Sequence, residues 1–422
     1  MTSADRGRAV AWTVLALLAL AYYGNYYVYD SIGPVAELLE RERGFSDSQI
    51  GVLNAIYSLP NVFLILLGGI LVDRLGSARM LLWTTAICLA GALLTAYSPG
   101  FNGMALGRLL FGIGGETFGI AVMAGVVKHF TGRNLAFAMG MTLAIARSGS
   151  YSADMSPTWF AAAYSEGWQP PLVIAAVAAA LSFAACVGYR WLDRRSGVAE
   201  PVARSERFAF RELLSFGPAY WYILSLCVLW YSAMFAFRST FSIKYFQHAH
   251  GLPLAEAGSI NAWVFLAALF ATPAFGLLSD KTGRYAPMLA FGALLLPVSI
   301  FIMAMTQWSL WVGTVLIGIS FSVVPAVMWP LTAKLVPGDK FGTAIGLMWV
   351  AQNIGMGGAN VIAGWLNDSY QAGPANPAGY QPMMWFFFAS GTLGFAAAMA
   401  LWMRAGRRHH EMADPEVARQ PA

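Results

Sequence analysis

Charge is scarce in this chain. Asp, Glu, Lys and Arg make up 11% of its 422 residues, where soluble proteins carry roughly 25%. A water-soluble fold of that composition could not cover its surface with polar groups. Cysteine is scarcer still: Cys88, Cys186 and Cys227 each lie inside an apolar run, in no metal-ligand spacing and with no basis for a disulfide framework. They read as small hydrophobes within helices. No Walker-type phosphate loop, H-E-x-x-H run or G-x-S-x-G elbow occurs, which argues against ATP drive and against hydrolase chemistry. No cofactor and no metal is expected. The pairs His248/His250 and His409/His410 fall at a span end and in a tail, where solvated side chains are expected rather than ligands.

What the chain has instead is apolar length. It is 58% hydrophobic, with 43 glycines and 15 tryptophans, as in membrane proteins whose small residues let helices approach and whose Trp sits at the interfaces. A bilayer core of about 30 Å takes about 20 apolar residues at helical rise. On that ruler the first six spans run at about 11–33, 48–72, 80–98, 102–127, 134–162 and 170–192. Six more run at about 217–247, 256–279, 285–305, 309–335, 341–368 and 382–403. The expected organisation is a six-helix half (1–192), a polar linker (193–216), a second six-helix half (217–403) and a tail (404–422).

Basic residues orient the spans, because cytoplasmic segments carry the excess of Lys and Arg. With the N-terminus inside, 20 of the 26 basic residues are cytoplasmic, and the outer loops hold Arg41, Arg43 and Lys244. Both termini are therefore expected in the cytoplasm. The net charge of +5 follows from this pattern, so no nucleic-acid partner is implied.

The two halves repeat one another. Gly112-Ile113 to Lys128, then Gly140 and Arg147, overlays Gly318-Ile319 to Lys334, then Gly346 and Asn353, at a constant offset of 206. Gly69-Ile70-Leu71-Val72-Asp73-Arg74-Leu75-Gly76 after the second span likewise matches Gly276 to Gly283, with Asp280 and Lys281 in register and Arg284 following. Repeated halves with a substrate site between them characterise many secondary transporters.

This doubled G-x-x-x-D-[RK]-x-G run resembles the signature of the major facilitator superfamily, with Arg79 as the further basic residue. The resemblance implies an all-α membrane fold of twelve helices in two pseudo-symmetric halves, usually working as a monomer. It also implies a conformational latch at Gly69, Asp73, Arg74, Gly76, Arg79, Asp280, Lys281 and Arg284. The motif glycines allow close helix packing, and Asp73 could take hydrogen bonds from a facing helix N-terminus. A basic loop obeying the topology rule is the plainer explanation of the same residues.

Charges inside the bilayer cost at least about 2.5–3.5 kcal/mol each on insertion scales, so each needs a partner or a role. Arg108, Arg147, Arg238 and Glu116 lie within spans, with Asp30 and Asp154 nearer the outer ends. Glu116 is twelve residues before Lys128 and Arg147 fourteen after Arg133, about 18 Å and 21 Å from the cytoplasmic face at 1.5 Å per residue. Two readings follow: a buried salt bridge, or separate poles with Arg147 for a carboxylate and Glu116 for an ammonium group. A purely structural pair is a weak stabiliser because desolvation offsets its attraction. Asp30 can be explained as an outer-end partner of Arg238 or Lys244.

The run Phe111-Gly112-Ile113-Gly114-Gly115-Glu116, with Arg147 beyond it, resembles the lysosomal dipeptide transporter branch of that superfamily. So does the aromatic run Tyr22 to Asp30 of the first span. The resemblance implies that Glu116 holds a dipeptide amino group and Arg147 its carboxylate, in a uniporter without obligatory proton coupling. No dileucine-type sorting signal precedes the first span. A bacterial inner membrane is the expected setting, and no accessory subunit can be assumed.

Tyr26, Tyr57, Trp329, Trp349, Gln352 and Asn353 fall at comparable depth and are candidate cavity residues, although core packing or interface anchoring explains the aromatics as well. Asn353 stands at the repeat position of Arg147. The first span has no glutamate, which disfavours the proton-coupled peptide branch with its E-x-x-E-R motif. The first alternative is a carrier of small organic anions, proton-coupled or exchanging, with Arg147 as anchor and Glu116 as proton site. The second is a membrane sensor that transports nothing.

Overall fold

The computed structural model describes residues 3–130, 133–198, 216–337 and 340–413, with side chains outside 3–8, 65–70, 73, 133, 136 and 405–413. Helices account for nearly all of them. In the first half these are α1 (Ser3–Asp30), α2 (Ile32–Arg43), α3 (Asp47–Ser58), α4 (Asn61–Leu75), α5 (Ser77–Tyr97), α6 (Phe101–His129), α7 (Arg133–Trp159), the short α8 (Ala161–Ser165) and α9 (Gln169–Ser196). The second half has α10 (Pro218–Ala236), a π-turn (Phe237–Phe241), α11 (Ser242–His250), α12 (Leu254–Thr282), α13 (Tyr285–Met305), α14 (Leu310–Leu335), α15 (Phe341–Ser369) and α16 (Gln381–Ala413).

Nine helical stretches among the described residues are long and apolar enough to cross a bilayer. The second, fifth and eleventh of the expected twelve spans lie outside that group. The second is broken between α3 and α4 at Leu59-Pro60, where proline lacks the N–H that would continue the helix. The fifth, α7, carries Arg147 and Asp154, and the eleventh, α15, carries Gln352, Asn353, Asn360 and Asn367; polar side chains lower the hydropathy of both. Two expected boundaries shift: α1 and α2 form one long helical path to Arg43, and α16 continues ten residues past 403.

The packing repeats as the sequence does. In the first half α1 packs on α7 and α9, and α5 on α6 and α9. In the second half α10 packs on α15 and α16, and α13 on α14 and α16. Each pair is the counterpart of the other. Between the halves α3 packs on α15 and α7 on α12, and exchanging the halves turns one of these contacts into the other. Two six-helix units related by a pseudo-two-fold result.

An even number of crossings puts both termini on one face, here the terminal face. The opposite, far face is where the halves are sealed together. Glycine makes this approach possible. A Cβ on Gly33 would sit 2.9 Å from the Ser239 carbonyl oxygen, and those on Gly51, Gly258 and Gly364 would strike the carbonyls of Asn360, Asp154 and Asp47, each on the other half. Asp368 of α15 accepts from the backbone N–H groups of Asp47 (2.8 Å) and Ser48 (2.9 Å) at the start of α3. A carboxylate there satisfies unpaired N–H groups and meets the positive end of the helix dipole.

Candidate functional site

Glu116 stands where the core of the first half divides. Leu53, Tyr57 and Phe111 belong to an apolar cluster toward the far face, and Leu18, Phe118 and Val122 to one toward the terminal face. Gly112, Gly114, Gly115 and Gly119 thin α6 around it, so Tyr57 and Tyr22 can close in: a Cβ on Gly115 would lie 2.9 Å from the Tyr57 hydroxyl, and one on Gly119 3.0 Å from that of Tyr22. Asn61 donates to the Glu116 carboxylate at 3.1 Å.

Arg147 is held differently. Its guanidinium lies over three rings: Tyr26 at 5.0 Å, Phe321 at 5.0 Å and Phe265 at 5.5 Å. Tyr26 belongs to the first half and the two phenylalanines to the second, so the side chain reaches across the division. No ion pair joins Arg147 to Glu116, or to any other carboxylate, among the described residues. Both charges nonetheless adjoin one aromatic pair, since Tyr22 packs edge-on against Tyr26 at 5.1 Å and stands within electrostatic reach of each. The arrangement is two separate poles.

The second half contributes the opposite wall. Trp329 and Trp349 stack at 5.6 Å and 20°. Asn353 accepts from Asn61 at 3.2 Å and donates to the Trp349 carbonyl at 3.0 Å. Gln352 is spent elsewhere: it accepts from Cys227 at 3.5 Å and donates to Met356 at 3.7 Å, within the packing of the second half. Tyr57 is buried, wedged against Tyr29 at 4.8 Å and Phe111 at 5.4 Å.

Of the charges flagged by depth, Arg108 and Arg238 have structural partners. Arg108 is buried and donates to the carbonyls of Leu53, Val28 and Tyr29 and to Asn54 Oδ1 at 2.7–3.2 Å, with no carboxylate partner among the described residues. Arg238, in the π-turn, donates to Asp30 at 2.7 Å and also to Asp154, so Asp30 has the outer-end partner expected of it. Lys244 is not in a loop: it is buried in α11 and paired with Asp47 and Glu40. His248 is likewise not solvated but half-buried against Tyr380, 2.8 Å away. Local polar partners drew both side chains in. The three cysteines are free and buried.

At the terminal face Arg74, Arg79, Asp280, Lys281 and Arg284 are exposed, and Gly76 is half-buried. Asp280 accepts from Tyr285 at 2.8 Å. The side chains of Gly69 and Asp73 lie outside those described.

Sequence reasoning passed over Asn61, Phe265 and Phe321. Asn61 follows a proline inside an apolar run, and a polar residue at a break within a span is the one available signal. The phenylalanines gave none.

Two repeated six-helix bundles closing on a polar midplane are the architecture of many membrane transporters. The family model of the Major Facilitator Superfamily matches residues 15–246 and again 230–421, and the chain belongs to that family. It is a membrane transporter, not an enzyme. It is 30% identical to the lysosomal dipeptide transporter MFSD1 of Homo sapiens over 92% of this chain and 85% of that protein. It is 26% identical to the probable sulfoacetate transporter SauU of Cupriavidus necator, over 83% and 85%. Among solved structures, a bacterial homologue of the human lysosomal transporter Spinster shares the fold at a TM-score of 0.75 and 16% identity, over 94% of this chain and 97% of that one.

Proposed function

We propose that this protein carries dipeptides and similar small zwitterionic peptides across the membrane as a uniporter, by alternating access. The observation that carries this reading is that Glu116 and Arg147 stand unpaired with one another beside the same tyrosine pair. Every dipeptide has one ammonium and one carboxylate at similar separation, so two fixed opposite charges accept many side chains. Hydrogen bonds to the charged termini supply the affinity. The stacked Trp329–Trp349 pair and Tyr26 offer apolar wall for the side chains. The name of the mammalian relative points the same way.

Termini in the cytoplasm of a bacterial inner-membrane protein agree with the distribution of Lys and Arg. On that orientation the sealed far face is external and the site faces inward. The exposed Arg74, Arg79, Lys281 and Arg284 then become the elements that close the cytoplasmic side in the opposite state, with the protein acting as a monomer.

The test is uptake by proteoliposomes, paired with thermal shift of the purified protein, since a ligand of the folded state raises its apparent stability. Free dipeptides should stabilise and be taken up, and blocking either terminus should weaken both effects without abolishing them. Glu116→Gln should abolish dipeptide recognition. If plain carboxylates serve equally well, and Glu116→Gln still exchanges them, the protein is an organic-anion carrier. A ligand that binds without any flux would make it a sensor.

A further inference from the structure

Asn61 opens α4 immediately after the proline break, and its side chain is fully buried. Its two amide N–H groups are both used: one goes to Glu116 at 3.1 Å and the other to Asn353 at 3.2 Å. With Glu116 ionised, that orientation is the one that fits. A carboxylate only accepts, and Asn353 already gives its own amide nitrogen to the Trp349 carbonyl at 3.0 Å, so it presents oxygen to Asn61. Turning Asn61 over would set its oxygen against two acceptors. Its Oδ1 is therefore a buried acceptor with no donor among the described residues, a condition that native proteins seldom leave in place.

We infer that Asn61 is a direct contact of the substrate's ammonium group and sets the preference for a free amino terminus. The inference rests on the dipeptide reading of Glu116 and Arg147. Oδ1 shares a planar amide with the nitrogen bound to Glu116 at 3.1 Å, so the two acceptor oxygens are neighbours no more than about 5.5 Å apart. An ammonium group has three donors and no acceptor, which suits a carboxylate and an amide oxygen side by side. A carboxylate or carbonyl of the ligand does not fit there. On loading, the ammonium takes over the Glu116 oxygen and also bonds Asn61 Oδ1. The Asn61 amide nitrogen stays on Asn353, so the contact to the amino terminus is tied to the second half.

The experiment is competition against a labelled dipeptide on the full-length protein in nanodiscs. Three competitors are used: the free dipeptide, its C-amidated form and its N-acetylated form. Asn61→Leu keeps the volume and removes the amide. It should weaken the free and C-amidated peptides alike, by about tenfold or more, and change the N-acetylated peptide by less than about twofold. Asn61→Ala repeats the comparison should the leucine variant fail to fold. Equal loss for all three peptides would assign Asn61 to packing and overturn the inference, as would undiminished binding of the free dipeptide. If the unmodified protein binds no dipeptide at all, the reading of the site falls and this inference with it. The two failures are thus told apart by the unmodified protein alone.

Discussion

Arg238 and Asp30 meet across the division between the halves at 2.7 Å, and Asp154 takes the second guanidinium nitrogen. The π-turn that carries Arg238 also frees its carbonyl, which accepts from Ser242 at 2.8 Å and Asn261 at 3.1 Å. Widened turns of this kind recur at functional positions. Removing one member of a buried ion pair costs about 3–5 kcal/mol, because the remaining charge is stranded. Arg238→Gln is expected to lower the thermal midpoint in detergent and to slow uptake. A variant as stable as the wild type would show that packing alone holds the far face shut.

Glycines at the two kinds of contact should behave differently. Gly364 faces the Asp47 carbonyl of the other half, whereas Gly149 faces the Tyr23 carbonyl within its own half. Gly364→Val is expected to leave each half folded but to block closure of the far face. It should be recovered in near-normal yield and have lost uptake. Gly149→Val should instead reduce the yield of folded protein, since α7 could no longer seat on α1. Size-exclusion profiles and uptake rates together separate these outcomes.

Arg108 satisfies three backbone carbonyls and Asn54, with no carboxylate partner among the described residues. Lysine cannot reproduce the planar fork that reaches them together. Arg108→Lys should therefore be destabilising, by about 1–3 kcal/mol for each acceptor left bare. Thermal unfolding measures it. Little effect on the discrimination between free and blocked peptides is expected, because its partners lie within α3 and at the end of the first span.

Phe265 touches both the site and the seal. Its ring lies 3.8 Å from the Arg238 guanidinium carbon and 5.5 Å from that of Arg147. Such contacts contribute about 0.5–2 kcal/mol each. Phe265→Leu keeps the bulk and removes the π face, so it should weaken dipeptide binding by a few-fold and also lower the thermal midpoint slightly. An effect on binding with an unchanged midpoint would show that the ring serves Arg147 alone.

Much of the fold was legible because bilayer physics writes it into composition. Apolar runs of spanning length, the duplicated G-x-x-x-D-[RK]-x-G segment and the offset between Arg147 and Asn353 all survive in one dimension. The midplane charges were legible for the same reason, since a Glu or Arg inside an apolar run stands out. Their relationship was not. Whether Glu116 and Arg147 pair depends on rotation about two helix axes, and helical rise gives depth alone. Lys244 and His248 were misread because a residue near a span end looks solvated until a partner from a distant segment covers it.

The sequence by itself determined that this protein lives in a membrane, that it is built twice over, and that opposite charges lie near its midplane. These follow from the cost of putting polar groups into hydrocarbon, which every local stretch must obey. Only the tertiary structure decided which charge meets which. Arg238 was given to two aspartates, Arg108 to backbone carbonyls, Glu116 to Asn61, and Arg147 to aromatic rings from both halves. Side-chain partners within hydrogen-bond reach are set by how helices rotate and cross, and that information is shared among segments far apart in the chain.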